Sequence, residues 1–146
     1  MPQKAKNKHL YLIGKIKKIE TPNFRMNPAE LFQYLPEGQK FTIKRVYWLA
    51  DVKAEAKSGQ HAHTDEDEVF IILQGKAEIV LDDNGKGRRT KTLSTNAIVW
   101  VPKYVWHGFS GMSKNAVILA LSSTNYDSQR KGYIEDYQKF KELKTK

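Results

Sequence analysis

From about residue 41 to residue 122, Gly, Pro and Asn/Asp clusters cut the chain into short apolar runs, the punctuation of a β-sandwich or barrel. FTIKRVYWLADV (41–52) is rich in β-branched and aromatic residues, and EVFIILQG (68–75) is a continuous apolar run. KAEIVLDD (76–83) sets Ala77, Ile79 and Leu81 in alternation with their neighbours. Gln74-Gly75 between the last two runs predicts a hairpin, and Asp82-Asp83-Asn84-Gly85 supplies residues that tolerate positive φ in the next turn. RRTKTL follows as a polar edge strand, and AIVWVP (97–102), VWHGFS (105–110) and AVILALSS (116–123) continue the series, with Pro102 ending the first of these. The class is all-β.

The flanks differ. In GYIEDYQKFKEL and the residue after it, Tyr133, Ile134, Tyr137, Phe140 and Leu143 recur at helical spacing, which predicts a short C-terminal helix over 132–144 packed on the barrel (41–123). Its stripe reads as core. The first forty residues (1–40) are less regular: KHLYLIGKIKKIE reads as a strand or strand pair, and NPAELFQYL after Asn27 as a capped short helix. At 146 residues the chain suits one domain, 1–146, with the N-terminal segment as the natural dimer contact.

Composition narrows the function classes. There are no cysteines, so neither a disulfide framework nor a thiolate site is available, which fits a reducing cytoplasm. Gly14, Lys15, Lys17 and Lys18 interrupt the first apolar stretch, so no signal-peptide core or membrane span forms there, and the expectation is a soluble, cytoplasmic protein with no membrane partner. The net charge of +9 attracts anions. Much of it lies in Lys4 to Lys18 and Lys139 to Lys146, which read as solvated tails, and no nucleic-acid-reading motif accompanies it.

Of four histidines, three stand where a β-barrel brings them together. His61 and His63 are two apart, so on a strand both project from one face. Glu68 opens the apolar strand that follows, and Pro102-Lys103-Tyr104-Val105-Trp106-His107 delivers a third imidazole. Three imidazoles and a carboxylate suit iron, manganese, nickel, copper or zinc. Glu66 and Glu68 are also two apart, and the acidic run Asp65-Glu66-Asp67-Glu68 leaves open which of them faces the site.

His-x-His, a Glu a few residues on, a Gly after the strand, and Pro-x-x-x-x-His together resemble the two motifs of the cupin superfamily. The resemblance implies a cupin-type jelly-roll barrel with its site on His61, His63, Glu68 and His107. A narrower resemblance, over about residues 36–142, is to the sugar-nucleotide 3,4-ketoisomerases. It is carried by Lys44-Arg45-Val46-Tyr47, the sixteen-residue step from Arg45 to His61, the His61-Ala62-His63 pair, Leu81-Asp82-Asp83, Tyr126-Asp127 and the ending Tyr133-Ile134-Glu135-Asp136-Tyr137-Gln138-Lys139-Phe140.

That family moves the carbonyl of dTDP-4-keto-6-deoxyglucose from C4 to C3 through an enediol, in deoxyamino-sugar biosynthesis. The resemblance implies an isomerase with a dTDP-linked keto-sugar as ligand, no required cofactor and a homodimer. By position it makes His61 and His63 the acid/base pair, has Tyr47 bond the sugar oxygens or relay a proton, and puts Arg45 on the diphosphate, with Tyr104, Trp106 and His107 lining the site. The chain departs from the pattern where Ser58 precedes the His pair, Thr64-Asp65 follows it, and Glu68 stands where Gln is usual. Glu68 completes a metal-ligand set, so a metal-dependent cupin enzyme, a dioxygenase or small-molecule isomerase holding a divalent ion on His61, His63, Glu68 and His107, is the alternative. A non-catalytic sugar-binding cupin is a third reading.

Overall fold

The computed structural model describes residues 9–15, 17–19, 31–33 and 42–146. Its strands are β1 (Leu12–Lys15), β2 (Lys17–Ile19), β3 (Leu31–Gln33), β4 (Arg45–Leu49), β5 (Ser58–His63), β6 (Glu68–Gln74), β7 (Lys76–Asp82), β8 (Arg89–Ser94), β9 (Ala97–Val101), β10 (Trp106–Ser110), β11 (Val117–Ser122) and β12 (Tyr133–Ile134), followed by α1 (Tyr137–Thr145). Two five-stranded antiparallel sheets, in the orders β1-β9-β6-β11-β4 and β12-β5-β10-β7-β8, face each other, and β2 pairs with β3. This is the cupin-like β-sandwich that the motifs imply.

Three expectations need correction. Gln74-Gly75 does not make a hairpin, because β6 pairs with β11 and β9 while β7 pairs with β10 and β8. Gly75, at φ +76°, carries the chain from one sheet to the other, where a side chain would meet the Ala116 Cα at 2.9 Å. The C-terminal helix begins at Tyr137, not at 132. Backbone pairing of Tyr133 with His63 and Ile134 with Ala62 takes the first part of the stripe into a strand, and Asp136, accepting the N–H of Lys139 at 3.0 Å, caps the helix after it. Leu143 is exposed, so the stripe ends at Phe140. The helix expected after Asn27 meets β3, which takes 31–33 into a strand pair; its other residues lie outside the described ones.

The core forms where the alternating positions of both sheets meet: Phe70 and Ile72 of β6, Ile79 and Leu81 of β7, Val99 of β9, Ile118 and Ala120 of β11. A second cluster, Ala62, Trp106 and Phe140, seats the helix on the outside of the β5-side sheet. Burying the Phe140 ring contributes on the order of 2–3 kcal/mol, and its full enclosure fixes where α1 lies. As expected, β8 is a polar edge strand and the Asp82–Gly85 turn joins it to β7, with Asp82 Oδ1 accepting the Gly85 N–H at 2.8 Å. Among the described residues no helix is long and apolar enough to cross a membrane.

Toward one end of the sandwich the inward positions change from hydrocarbon to polar. On β6 the series Ile72, Phe70 continues to Glu68; on β11, Ile118 and Ala120 lead to Ser122; on β4, Leu49 and Tyr47 lead to Arg45. The register aligns these ends, since Ser122 stands opposite both Glu68 and Arg45.

Candidate active site

Strand β5 delivers the imidazole pair, and its pairing with β10 contains a bulge. His107 stands opposite His61 but Gly108 opposite Gly59, leaving Gln60, at φ +66°, outside the ladder. Gly59 has φ +77°, and a Cβ there would lie 2.9 Å from the Gly108 Cα, so the two backbones approach as closely as two glycines allow. The consequence is convergence: His61, His63 and His107 ring centroids lie 4.5–5.5 Å apart.

Glu68 is the hub. Its Oε1 accepts the Tyr47 hydroxyl at 2.6 Å, and its Oε2 lies 2.9 Å from His107 Nε2 and 3.2 Å from His63 Nε2. His61 Nε2 is 3.0 Å from His63 Nε2. His107 Nδ1 donates to the Val105 carbonyl at 3.0 Å, since a carbonyl only accepts, and its Nε2 faces the Glu68 carboxylate. One donor atom from each of His61, His63, Glu68 and His107 lies within 4.8 Å of the others. Of the two candidate carboxylates, Glu68 therefore joins the imidazoles.

Glu66 does other work. It is 3% exposed and accepts hydrogen bonds from Arg45 Nη2 (2.8 Å), Ser122 Oγ (2.6 Å) and Thr124 Oγ1 (2.8 Å). Its contact with His63 Nδ1, at 3.6 Å, is too long for a hydrogen bond. Arg45 is thus held by a buried carboxylate at the floor of the site.

Burial is the main force on the ring of His61, and repulsion from His107 and His63 adds to it, pushing its pKa down to about 3. His61 is a neutral base at any ordinary pH. Burial works to raise the Glu68 carboxyl, but hydrogen bonds and charge from His107 and His63 outweigh it and hold the group well below the usual carboxylate range. Burial, then the adjacent Glu68 charge, raises the Tyr47 phenol far above its ordinary value, so Tyr47 keeps its proton and supports Glu68.

A cavity of about 370 Å³ opens onto this cluster, within the size range of small-ligand sites. His61, Glu68, Tyr47 and Arg45 line it, together with Ser58, Gly59, Tyr126, Arg130 and Tyr133. His63 and His107 lie behind them, both buried. Tyr104 and Trp106 do not line it. Trp106 packs on Tyr137 and Phe140 beneath the helix, with ring centroids 5.0 and 5.7 Å away. Tyr104 is exposed beyond the strand end, where its backbone N–H, not its ring, touches the site by donating to the His63 carbonyl at 2.6 Å.

The sequence family described as WxcM-like, C-terminal (FdtA) matches residues 12–145. The chain belongs to this family. Over 107 residues it is 36% identical to the TDP-4-oxo-6-deoxy-alpha-D-glucose-3,4-oxoisomerase of Aneurinibacillus thermoaerophilus, spanning 73% of this chain and 75% of the relative. The structure of WlaRA, a TDP-fucose-3,4-ketoisomerase from Campylobacter jejuni, superposes with a TM-score of 0.75 at 32% identity, over 92% of this chain and 96% of that one. A 3,4-ketoisomerase from Helicobacter canadensis gives 0.77 at 28% identity, over 94% and 99%. The family resemblance drawn from the RVY strand, the His pair and the YIEDY ending is thereby established.

Tyr126, Arg130 and Tyr133 line the cavity without the sequence having placed them in the site, and Tyr133, expected in the core stripe, lies instead against His61 and His63. The signal was present in part, because Tyr126 and Tyr133 belong to the ending that carries the family likeness. Arg130 had none, being one cation among 25 Lys and Arg.

Proposed function

We infer that the protein is a 3,4-ketoisomerase of a TDP-linked 4-keto-6-deoxy sugar, with His61 as the base that meets the substrate. The observation that carries the chemistry is that His61 alone of the three imidazoles faces the cavity, as a neutral ring backed by His63 and Glu68. The relatives' names supply the substrate class.

The reaction needs one group to take a proton from carbon and return it to the neighbouring carbon. His61 removes the C3 proton of the 4-keto sugar, the C3–C4 enediol forms as O4 takes up a proton, and a proton then returns to C4 as the C3 hydroxyl loses its proton and becomes the carbonyl. The contacts of His61 Nε2 with His63 Nε2 and of His63 Nε2 with Glu68 Oε2 tie the base to a buried polar chain, and exchange of the captured proton with solvent before its return puts solvent hydrogen at C4. No redox cofactor enters the proton balance. Tyr47, its own hydrogen given to Glu68, keeps an oxygen lone pair to accept from a sugar hydroxyl.

The test is direct. Incubation with dTDP-4-keto-6-deoxyglucose in deuterated water, followed by NMR, should give a 3-keto species carrying deuterium at C4. Unchanged sugar signals at high enzyme concentration would overturn the assignment.

The donor set favours a second reading. Three imidazole nitrogens and a carboxylate oxygen, with the His107 tautomer fixed by a backbone carbonyl, suit a divalent first-row ion held by His61, His63, Glu68 and His107. Such an ion would supply Lewis-acid polarisation of a carbonyl and would occupy the nitrogens that otherwise act as bases. Metal analysis of purified protein separates the readings: stoichiometric metal that falls with Glu68→Gln supports the second, and metal-free protein with full turnover the first. A homodimer accords with the exposed Val46 and Trp48 of β4 and Leu73 of β6, and sedimentation reads it.

A further inference from the structure

The ketoisomerase reading, on which this inference rests, requires a cation for the substrate's diphosphate, and the cavity presents two arginines, Arg45 and Arg130. They are not equivalent. Arg45 Nη2 is 2.8 Å from a carboxylate that is 3% exposed, and moving it onto a ligand would strand that charge. Arg130 pairs with Glu135, and both side chains are about half exposed, at 47% and 58%. An ion pair of that kind exchanges readily for a stronger anion.

Arg130 is also aimed. Its guanidinium carbon stands 4.1 Å from the centroid of the Tyr133 ring, and that ring lies 4.8 Å from His61 and 4.5 Å from His63. One aromatic ring therefore separates the base from the Arg130 guanidinium. In a nucleotide sugar one pyranose ring separates C3 from the anomeric phosphate, so the spacing of the two groups suits the spacing of the two ends of the substrate.

The loop that carries Arg130 is over-determined. Asp127 accepts the N–H of Gln129 (2.9 Å) and of Lys131 (3.0 Å) on its carboxylate, and its carbonyl accepts the Arg130 N–H at 3.1 Å. The Arg130 carbonyl in turn accepts the Tyr133 N–H at 3.1 Å. Arg130 sits at φ +53°, a conformation a non-glycine residue holds only where its surroundings impose it, and such residues gather at ligand clamps.

We propose that Arg130, not Arg45, binds the diphosphate of the substrate, reaching it across the face of Tyr133. The planar fork of an arginine suits that anion. Glu135 holds the guanidinium until substrate arrives.

The experiment titrates wild-type protein, Arg130→Ala, Arg130→Gly, Arg130→Lys and Glu135→Ala with dTDP by calorimetry and with thymidine by NMR, alongside steady-state kinetics. Loss of one charge-assisted contact should weaken dTDP about 10- to 100-fold in Arg130→Ala, raise KM with little change in kcat, and leave thymidine binding as it was. Arg130→Gly suits the left-handed backbone and should show the same dTDP-selective loss, which separates lost charge from a disturbed turn. Lysine should restore part of the affinity, and Glu135→Ala should tighten dTDP by removing the competing carboxylate. Arg130→Ala and Arg130→Gly within twofold of wild type for dTDP, or equal losses for dTDP and thymidine, would overturn the proposal. A wild-type protein that neither binds dTDP nor turns over would overturn the ketoisomerase reading itself, and this assignment with it.

Discussion

Replacing Arg45 with methionine removes the only charged donor to Glu66 among the described residues and leaves a nearly isosteric stem in its place. Glu66 then retains two hydroxyl donors, from Ser122 and Thr124, at 3% exposure. Removing one partner of a buried ion pair costs about 3–5 kcal/mol. The two remaining hydrogen bonds, and the 18% exposure of the arginine itself, place this case at the lower end, about 3 kcal/mol. That is a large part of the roughly 5–15 kcal/mol that holds a domain folded. For a chain of 146 residues it corresponds to a fall in Tm of about 10 °C. Urea denaturation followed by tryptophan fluorescence measures it, and Arg45→Met with Glu66→Gln should recover at least about 1.5 kcal/mol, since the amide no longer strands a charge. A single variant within about 1 kcal/mol of wild type would refute the reasoning, because Arg45 would then be free for a ligand.

Other consequences follow from the same geometry. His61→Asn should slow C4 deuteration by about 10²- to 10⁴-fold while shifting the urea midpoint little, and undiminished exchange would remove His61 from the reaction. Gly59→Ala must hold φ +77° and place a methyl 2.9 Å from the Gly108 Cα, so it should destabilise by about 1–3 kcal/mol; an unmoved midpoint would contradict the close approach of β5 and β10. Burial, then the hydrogen bond to Asp82, pushes the Tyr137 pKa from 10.0 up to about 12. Between those values the unfolded chain loses a proton that the folded one keeps, so stability falls as pH rises from 10 to 12. Tyr137→Phe should flatten that decline, and an unchanged slope would show that the phenol is not its source.

Some of the fold was legible because it depends on local periodicity. Alternation in 76–83, the apolar run 68–75 and the Asp-Asp-Asn-Gly turn each specify their element within a few residues. The helix boundary was not legible: Tyr133 and Ile134 satisfy a helical stripe as well as they satisfy strand pairing, and the available edge of β5 decided between them. Gln74-Gly75 failed for a related reason, since a glycine at positive φ serves a hairpin and a passage between sheets equally well.

By itself the sequence determined that His61 and His63 share a face, that His107 and one carboxylate of the run 65–68 accompany them, and that the chain resembles a family of sugar-nucleotide isomerases. Only the tertiary structure decided which imidazole meets the cavity, which of Glu66 and Glu68 joins the cluster, and which arginine is already spoken for. The physical reason is that a charge is described by its partner. Arg45 and Glu66 stand 21 residues apart, and Ser122 and Thr124 more than fifty from Glu66, so their pairing exists only once the sheets close.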